Sequence, residues 1–209
     1  MSNKNNFKEH INKVSSKAKQ KCGWIYRTFR SRNAFLMKTM WNCLVQPQID
    51  YCSQLWMPMK VMEMQQIEQI QRNFTARIEG LQEKDYWNRL DSLKIKSQQR
   101  RLERYIIIYI WKIIQGLVPK PGVHTKISLR RGRTCEIPML ISQAKNSLKS
   151  MKDGNFLVNG TRLFNSIPKS IRDMEDCSLN IFKNALDQYL SSIPDHPRVT
   201  GYTSQNESN

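Results

Sequence analysis

Acid is the scarcest commodity in this chain. Only 17 Asp and Glu stand against 34 Lys and Arg in 209 residues, leaving a net charge of +17 and a pI near 9.9. Such an excess selects polyanions as partners. Long hydrophobic runs are also missing. The longest, Tyr105 to Trp111, is closed by Arg104 and Lys112 and falls far short of the ~20 residues that span a bilayer. No membrane span is expected. The opening MSNKNNFKEHINK has no apolar segment of a secretory signal. An intracellular protein is therefore expected, with the sequons at Asn73, Asn159 and Asn206 unused. Five cysteines, Cys22, Cys43, Cys52, Cys135 and Cys177, include no CxxC. They are expected to be reduced and mostly buried, with neither a disulfide framework nor a zinc site.

Enzyme signatures are equally scarce. The eight glycines never form GxGxxG, GxSxG or a Walker A loop, and no HExxH occurs. The three histidines, His10, His124 and His196, fall on a surface helix, a loop and a tail, poor places from which to assemble a triad. Glu175-Asp176 and the acids near Glu83 and Asp85 fall in turns, whereas two-metal chemistry needs carboxylates on rigid elements. The expectation is a non-enzyme with no catalytic residue, no metal, no cofactor and no small-molecule substrate.

What the chain does have is apolar material at helical spacing. At 39% hydrophobic, with ten Met, five Trp, seven Tyr and seven Phe, wholesale disorder is excluded and a core can form. Phe7, Ile11, Val14 and Ala18 mark a lysine-faced amphipathic helix expected to end near Gly23. Asn33 is a candidate N-cap for a second helix carrying Phe35, Met40, Trp41, Leu44 and Val45, which Pro47 should kink or break. Met64, Ile67, Ile70, Phe74, Ile78 and Leu81 step by threes and fours toward Gly80, a natural end signal. Asp85 should cap a short helix with Tyr86, Trp87, Leu90 and Leu93, and Ser97 a longer one running to Gln115 before Gly116. Its Ile106-Ile107-Ile108 run also suits a strand, but the length and caps favour a helix at the centre of the core.

Composition changes at Pro119-Lys120-Pro121-Gly122, before the basic loop Arg130-Arg131-Gly132-Arg133. Beyond it, Cys135-Glu136-Ile137 and Phe156-Leu157-Val158 resemble short strands, the second leading into Asn159-Gly160. Ser178 should cap a final helix with Leu179, Phe182, Leu186, Tyr189 and Leu190 on one face. The expected fold is mainly α: a basic helical bundle over 1–118, a Pro/Gly- and Arg-rich linker over 119–134, a small α+β region with short strands over 135–195, and a disordered tail over 196–209.

Several short segments follow one another along the chain: Cys22-Gly23-Trp24-Ile25 with Arg27-Thr28-Phe29, Leu44-Val45 with Asp50-Tyr51-Cys52-Ser53 and Leu55-Trp56, and Ile67-Glu68 with Gln71-Arg72-Asn73-Phe74-Thr75. Tyr86-Trp87-Asn88-Arg89-Leu90, Leu93, Gln99-Arg100-Arg101, Tyr109 to Lys112 with Gly116-Leu117, Arg130 to Arg133, Arg162-Leu163-Phe164-Asn165 with Ile167-Pro168, and Phe182-Lys183 with Leu186-Asp187 continue the series. Each motif is ordinary. In order and spacing together, over about residues 8 to 202, they resemble the region just downstream of the reverse-transcriptase domain in jockey-like non-LTR (LINE-type) retrotransposon polyproteins. The catalytic Tyr/Phe-x-Asp-Asp strand of such polyproteins does not occur here, so no family catalytic residue carries over. The resemblance implies a thumb and post-thumb fragment of an RNA-directed DNA polymerase that grips a template–primer duplex beside an upstream palm.

The charges point the same way. Net charge runs +8, +2, +8 and −1 over residues 1–50, 51–100, 101–150 and 151–209, as a one-sided distribution would. A basic helical module binds RNA or DNA backbones without reading sequence. The candidate contacts are Lys13, Lys17 and Lys21 on the first helix, Arg27, Arg30 and Arg32 after it, Arg100, Arg101 and Arg104 at a helix start, and Arg130, Arg131 and Arg133 in the loop. A merely solvated basic face is the plainer alternative. For Trp24, Tyr26 and Phe29, core packing is favoured over base stacking. The rival function is a helix-turn-helix regulator, for which Asp85 to Arg104 is the candidate segment. A peripheral membrane module lacks a bulky apolar face on the first helix.

Overall fold

A computed structural model describes residues 7–58, 60–118, 126–128, 134–136, 156–175 and 177–195. Helices dominate: α1 Lys8–Thr28, α2 Ala34–Met40, a π-helical turn Trp41–Val45, α3 Gln46–Asp50, α4 Ser53–Trp56, α5 Val61–Thr75, α6 Tyr86–Leu93 and α7 Gln98–Ile114. After them come α8 Phe156–Ser166, α9 Lys169–Arg172 and α10 Leu179–Ser192. A three-residue antiparallel pair, β1 Lys126–Ser128 with β2 Thr134–Glu136, aligns Ile127 with Cys135. It does not amount to the α+β region expected. The 119–134 linker lies mostly outside the described residues, and the tail from His196 lies wholly outside them.

By contacts the chain divides into two compact units, one of residues 7–102 with Asp195, the other of the described residues from 103 to 194. The division falls within α7 rather than near Pro119. In the first unit, Ile11, Val14, Ala18, Cys22 and Ile25 of α1 step along one buried stripe that joins Met37, Trp41, Val45, Ile49, Ile67, Ile70 and Phe74. Ile25 explains why α1 runs five residues past Gly23: it is fully buried, and its packing outweighs the ~1 kcal/mol that a helical glycine costs. The helix stops at Phe29, whose extended backbone breaks the pattern.

Pro47 also fails to stop its helix. The turn before it is widened, so that the Gln46 amide reaches Trp41 O five residues back, and Pro47 then occupies the first turn of α3, where its missing N–H is harmless. The amide network beneath fixes this bend. Trp41 Nε1 donates to Gln46 Oε1 at 2.8 Å, and Gln46 and Gln98 exchange amide hydrogen bonds of 3.0 and 2.9 Å. Gln98 donates also to Gln71, whose own amide reaches Lys96 O. Buried amides with partners on several helices specify how those helices pack.

The caps are where the residues suggest. Asn33 Oδ1 accepts from Phe35 N at 2.9 Å, Asp85 from Trp87 N and Asn88 N, Ser97 Oγ from Arg100 N, and Ser178 Oγ from Ile181 N. Gly116 ends α7 at φ +71°, where a side chain would be strained.

In the second unit, Ile106, Ile107, Ile110, Trp111 and Ile113 of α7 are buried with Leu163, Phe164, Phe182 and Leu186. Trp111 stacks on Phe182 with centroids 4.6 Å apart and donates Nε1 to Met174 O. Phe156-Leu157-Val158 begins a helix, not a strand. The reason is Gly160: a Cβ there would lie 2.8 Å from Ile110 Cδ1 and 3.1 Å from Ile106 Cγ2. Asn159-Gly160 therefore serves a close helix crossing, where local sequence suggested a hairpin.

Candidate nucleic-acid interface

Lys13, Lys17 and Lys21 follow one another at four-residue intervals on α1, each about 6 Å further along its axis. Lys13 and Lys17 are exposed and Lys21 half-buried. Lys13 Nζ sits 2.8 Å from Glu9 Oε1, but both side chains are largely solvated and such a pair holds weakly. Beside this stripe, α1 and α3 enclose a groove of about 830 Å³, within the range of small-molecule and cofactor clefts. His10, Val14, Lys17, Lys21 and Trp24 supply the α1 wall, with Gln20 beside them; Pro47, Gln48 and Tyr51 supply the other. No carboxylate is among these lining residues. Trp24 is 44% and Tyr51 74% exposed, and Lys21 Nζ lies 5.6 Å from the Trp24 ring centroid. Gln48 donates to Leu44 O, leaving its amide oxygen without a partner.

The other candidates are placed differently. Arg27 in the last turn of α1 and Arg30 just past its end are both exposed. Arg32 turns back to close that helix, donating from Nη1 to Phe29 O at 2.7 Å and from Nη2 to Tyr26 O at 2.8 Å. Tyr26 stacks on Phe74 and is flanked by the Arg32 and Arg77 guanidinia, so it packs as expected of a core residue. Burial pushes its phenol well above the ordinary range.

The three arginines of α7 are placed otherwise than the lysines of α1, because each meets a carboxylate. Arg100 is buried, its Nε 3.4 Å from Asp195 Oδ1. Arg101 grips Asp50 through Nε and Nη2 at 2.9 to 3.2 Å. Arg104 forms a fork with Asp187 at 2.5 and 2.7 Å. These paired groups brace the fold, and the forked geometry is the one guanidinium and carboxylate prefer. The same burial weighs against a recognition helix at the start of α7, where Gln98 and Arg100 are enclosed. Arg130, Arg131 and Arg133 lie outside the described residues.

Two carboxylates crown the N-terminus of α7. Asp195 accepts from Ser97 N at 2.6 Å and Ser97 Oγ at 2.8 Å. Glu68 accepts from the Gln98 and Gln99 amides at 3.2 Å and from the Tyr86 hydroxyl. Burial raises the Glu68 carboxyl to about 7 even so.

No family model, curated protein or solved structure matches the chain. Among the described residues no three His, Cys, Asp or Glu side chains gather as a metal ion would require, and no helix is long and apolar enough to cross a membrane. The cysteines correct one expectation: Cys22 is buried, its thiol pushed up to about 12 by desolvation, but Cys43 and Cys52 are exposed. They sit on the outer side of the π-helical turn and in a left-handed turn, at φ 50° for Cys52.

Sequence reasoning missed His10, Tyr51 and Gln48 as groove residues. The α1 side of the groove had a signal, since 10, 14, 17, 21 and 24 step by fours and threes along one face. Pro47 to Tyr51 had none, because the packing of α3 on α1 brings them there.

Proposed function

We propose that this chain is a non-catalytic nucleic-acid-binding element of a retrotransposon RNA-directed DNA polymerase, a thumb-like segment that holds a template–primer backbone without reading its sequence. The observation that carries the reading is the lysine face of α1, running along a groove whose lining includes no acid. Cations placed so neutralise phosphates and release counterions whatever the base sequence. The order of the short motifs supports the retrotransposon parentage, and with it an upstream palm as partner, an intracellular site of action and no small-molecule substrate. The loop Arg130, Arg131 and Arg133 joins the phosphate-binding residues on sequence grounds, with Arg27 and Arg30.

Fluorescence anisotropy against salt tests it. Unrelated duplexes should bind alike, with log K falling steeply and linearly in log salt. Preference for one DNA sequence would favour a regulator instead. Primer extension by the purified chain should give background only; reproducible metal-dependent incorporation would defeat the non-catalytic reading.

A further inference from the structure

A duplex shows its bases only at their edges, so phosphate contacts from the α1 lysines leave an open aromatic face in the groove available to an unpaired base. The groove on α1 has such a face. Tyr51 is the most exposed aromatic in its wall. Its backbone is fixed at both ends of the turn, the amide donating to Pro47 O at 3.1 Å and the carbonyl accepting from Trp56 Nε1 at 2.9 Å. The ring is thus presented on an anchored frame rather than packed. Opposite it, Lys21 lies against the Trp24 face, which holds its ammonium at the groove, and Lys17 stands one turn before.

We infer that the groove between α1 and α3 seats an unpaired nucleobase of a single nucleic-acid strand, stacked on the Tyr51 ring, with the flanking phosphates held by Lys17 and Lys21. The inference deepens the nucleic-acid reading and rests on it. An aromatic platform in a basic cleft is the recurring solution for single strands, because every base has a π-face. The four-residue lysine step continues to Lys13, outside the lining, which favours a strand over a free nucleotide: a mononucleotide would leave that continuation unused.

The test compares oligothymidylate with a blunt duplex of mixed sequence, using the full chain and its Tyr51→Leu and Tyr51→Phe variants. Replacing so exposed a ring leaves the fold intact, checked by unchanged melting. Tyr51→Leu should weaken oligothymidylate binding roughly 5- to 150-fold, the range for removing one base stack, with duplex affinity unchanged and with Tyr51→Phe restoring the single-strand affinity. Equal weakening on both ligands, or none on either, would overturn the inference while leaving backbone binding standing. Failure of the parent chain to bind either ligand would overturn both readings. Competition by thymidine monophosphate as effective as by the oligonucleotide would overturn the assignment to a strand.

Discussion

Helix α1 and the opening turns of α7 offer the same sequence cue, three cations at helical spacing, yet the fold treats them oppositely. Lys17 and Lys21 line a groove without carboxylates, and Lys13 meets Glu9 only in a pair that is itself largely solvated. Arg100, Arg101 and Arg104 meet Asp195, Asp50 and Asp187. A local count of charge therefore overstates the field that a partner feels. The acids that cancel the arginines lie far off in sequence, two of them in the acidic last quarter, and only the tertiary fold brings them in. Residue type matters too: the guanidinium fork suits fixed pairing with a carboxylate, whereas lysine is a mobile, strongly hydrated point charge.

The largest expected effect comes from treating an α7 arginine as though it were an α1 lysine. Arg100→Ala removes a fully buried side chain and takes the guanidinium from Asp195, which should destabilise the chain by about 3–5 kcal/mol. Urea denaturation followed by circular dichroism would read this as a lowered midpoint. An unchanged midpoint with weakened nucleic-acid binding would return Arg100 to the phosphate-binding residues and dissolve the contrast between the helices.

A similar destabilisation is expected where α7 serves only packing. Ile110 is wholly buried and its Cδ1 occupies the space that Gly160 leaves open, so Ile110→Ala should cost about 2–5 kcal/mol. Gly160→Ala should cost about 1–3 kcal/mol by overpacking, and combining the two should cost less than the sum, because the added methyl enters the space vacated by Ile110. Strict additivity in thermal melts would show that the helices do not cross as described.

Much of this architecture could be read from the residues. Asn33, Asp85, Ser97 and Ser178 cap because a short polar side chain before an apolar stripe has one good use. Met64, Ile67, Ile70 and Phe74 are buried because their spacing puts them on one face of α5, whereas the helix ends at Thr75 and Ile78 and Leu81 are buried from the turns beyond it. The misreadings share one cause, tertiary packing overriding a local signal. Gly23 did not end α1 because Ile25 had core to fill. Pro47 was absorbed by a widened turn upstream. Gly160 served a helix crossing. The groove was half legible for the same reason: its α1 wall is periodic, its α3 wall is placed by packing.

A smaller effect separates the carboxylates at the start of α7. Burial lifts the Glu68 carboxyl to about 7, with the hydrogen bonds from Tyr86, Gln98 and Gln99 opposing and Asp195 adding slightly to the rise. Its ordinary value is 4.5, so the folded chain keeps this proton over a range in which the unfolded chain has released it. Stability from this group is full below the ordinary value, declines as pH rises through about 7, and is level above. The melting temperature at about pH 8 should therefore lie below that at about pH 5, and Glu68→Gln should shrink the difference. A parent whose melting temperature rose over that interval, with Glu68→Gln leaving the difference unchanged, would place the Glu68 carboxyl in water.

The smallest effect on folding should accompany the clearest effect on binding. Lys17→Ala with Lys21→Ala removes one exposed lysine and one half-buried lysine held against Trp24, and should change stability by no more than about 1 kcal/mol. If both reach duplex phosphates, the slope of log K against log salt should flatten by about two units, since each phosphate neutralised adds roughly 0.9 to its steepness. The weakening should be alike on unrelated sequences, since phosphates carry no base information. Changing Arg130, Arg131 and Arg133 together to Ala should flatten the slope by up to about three units if that loop shares the face. A slope unmoved by the lysine pair but flattened by the loop would transfer the binding face from α1 to the loop, and the contrast between α1 and α7 would then describe solvation alone.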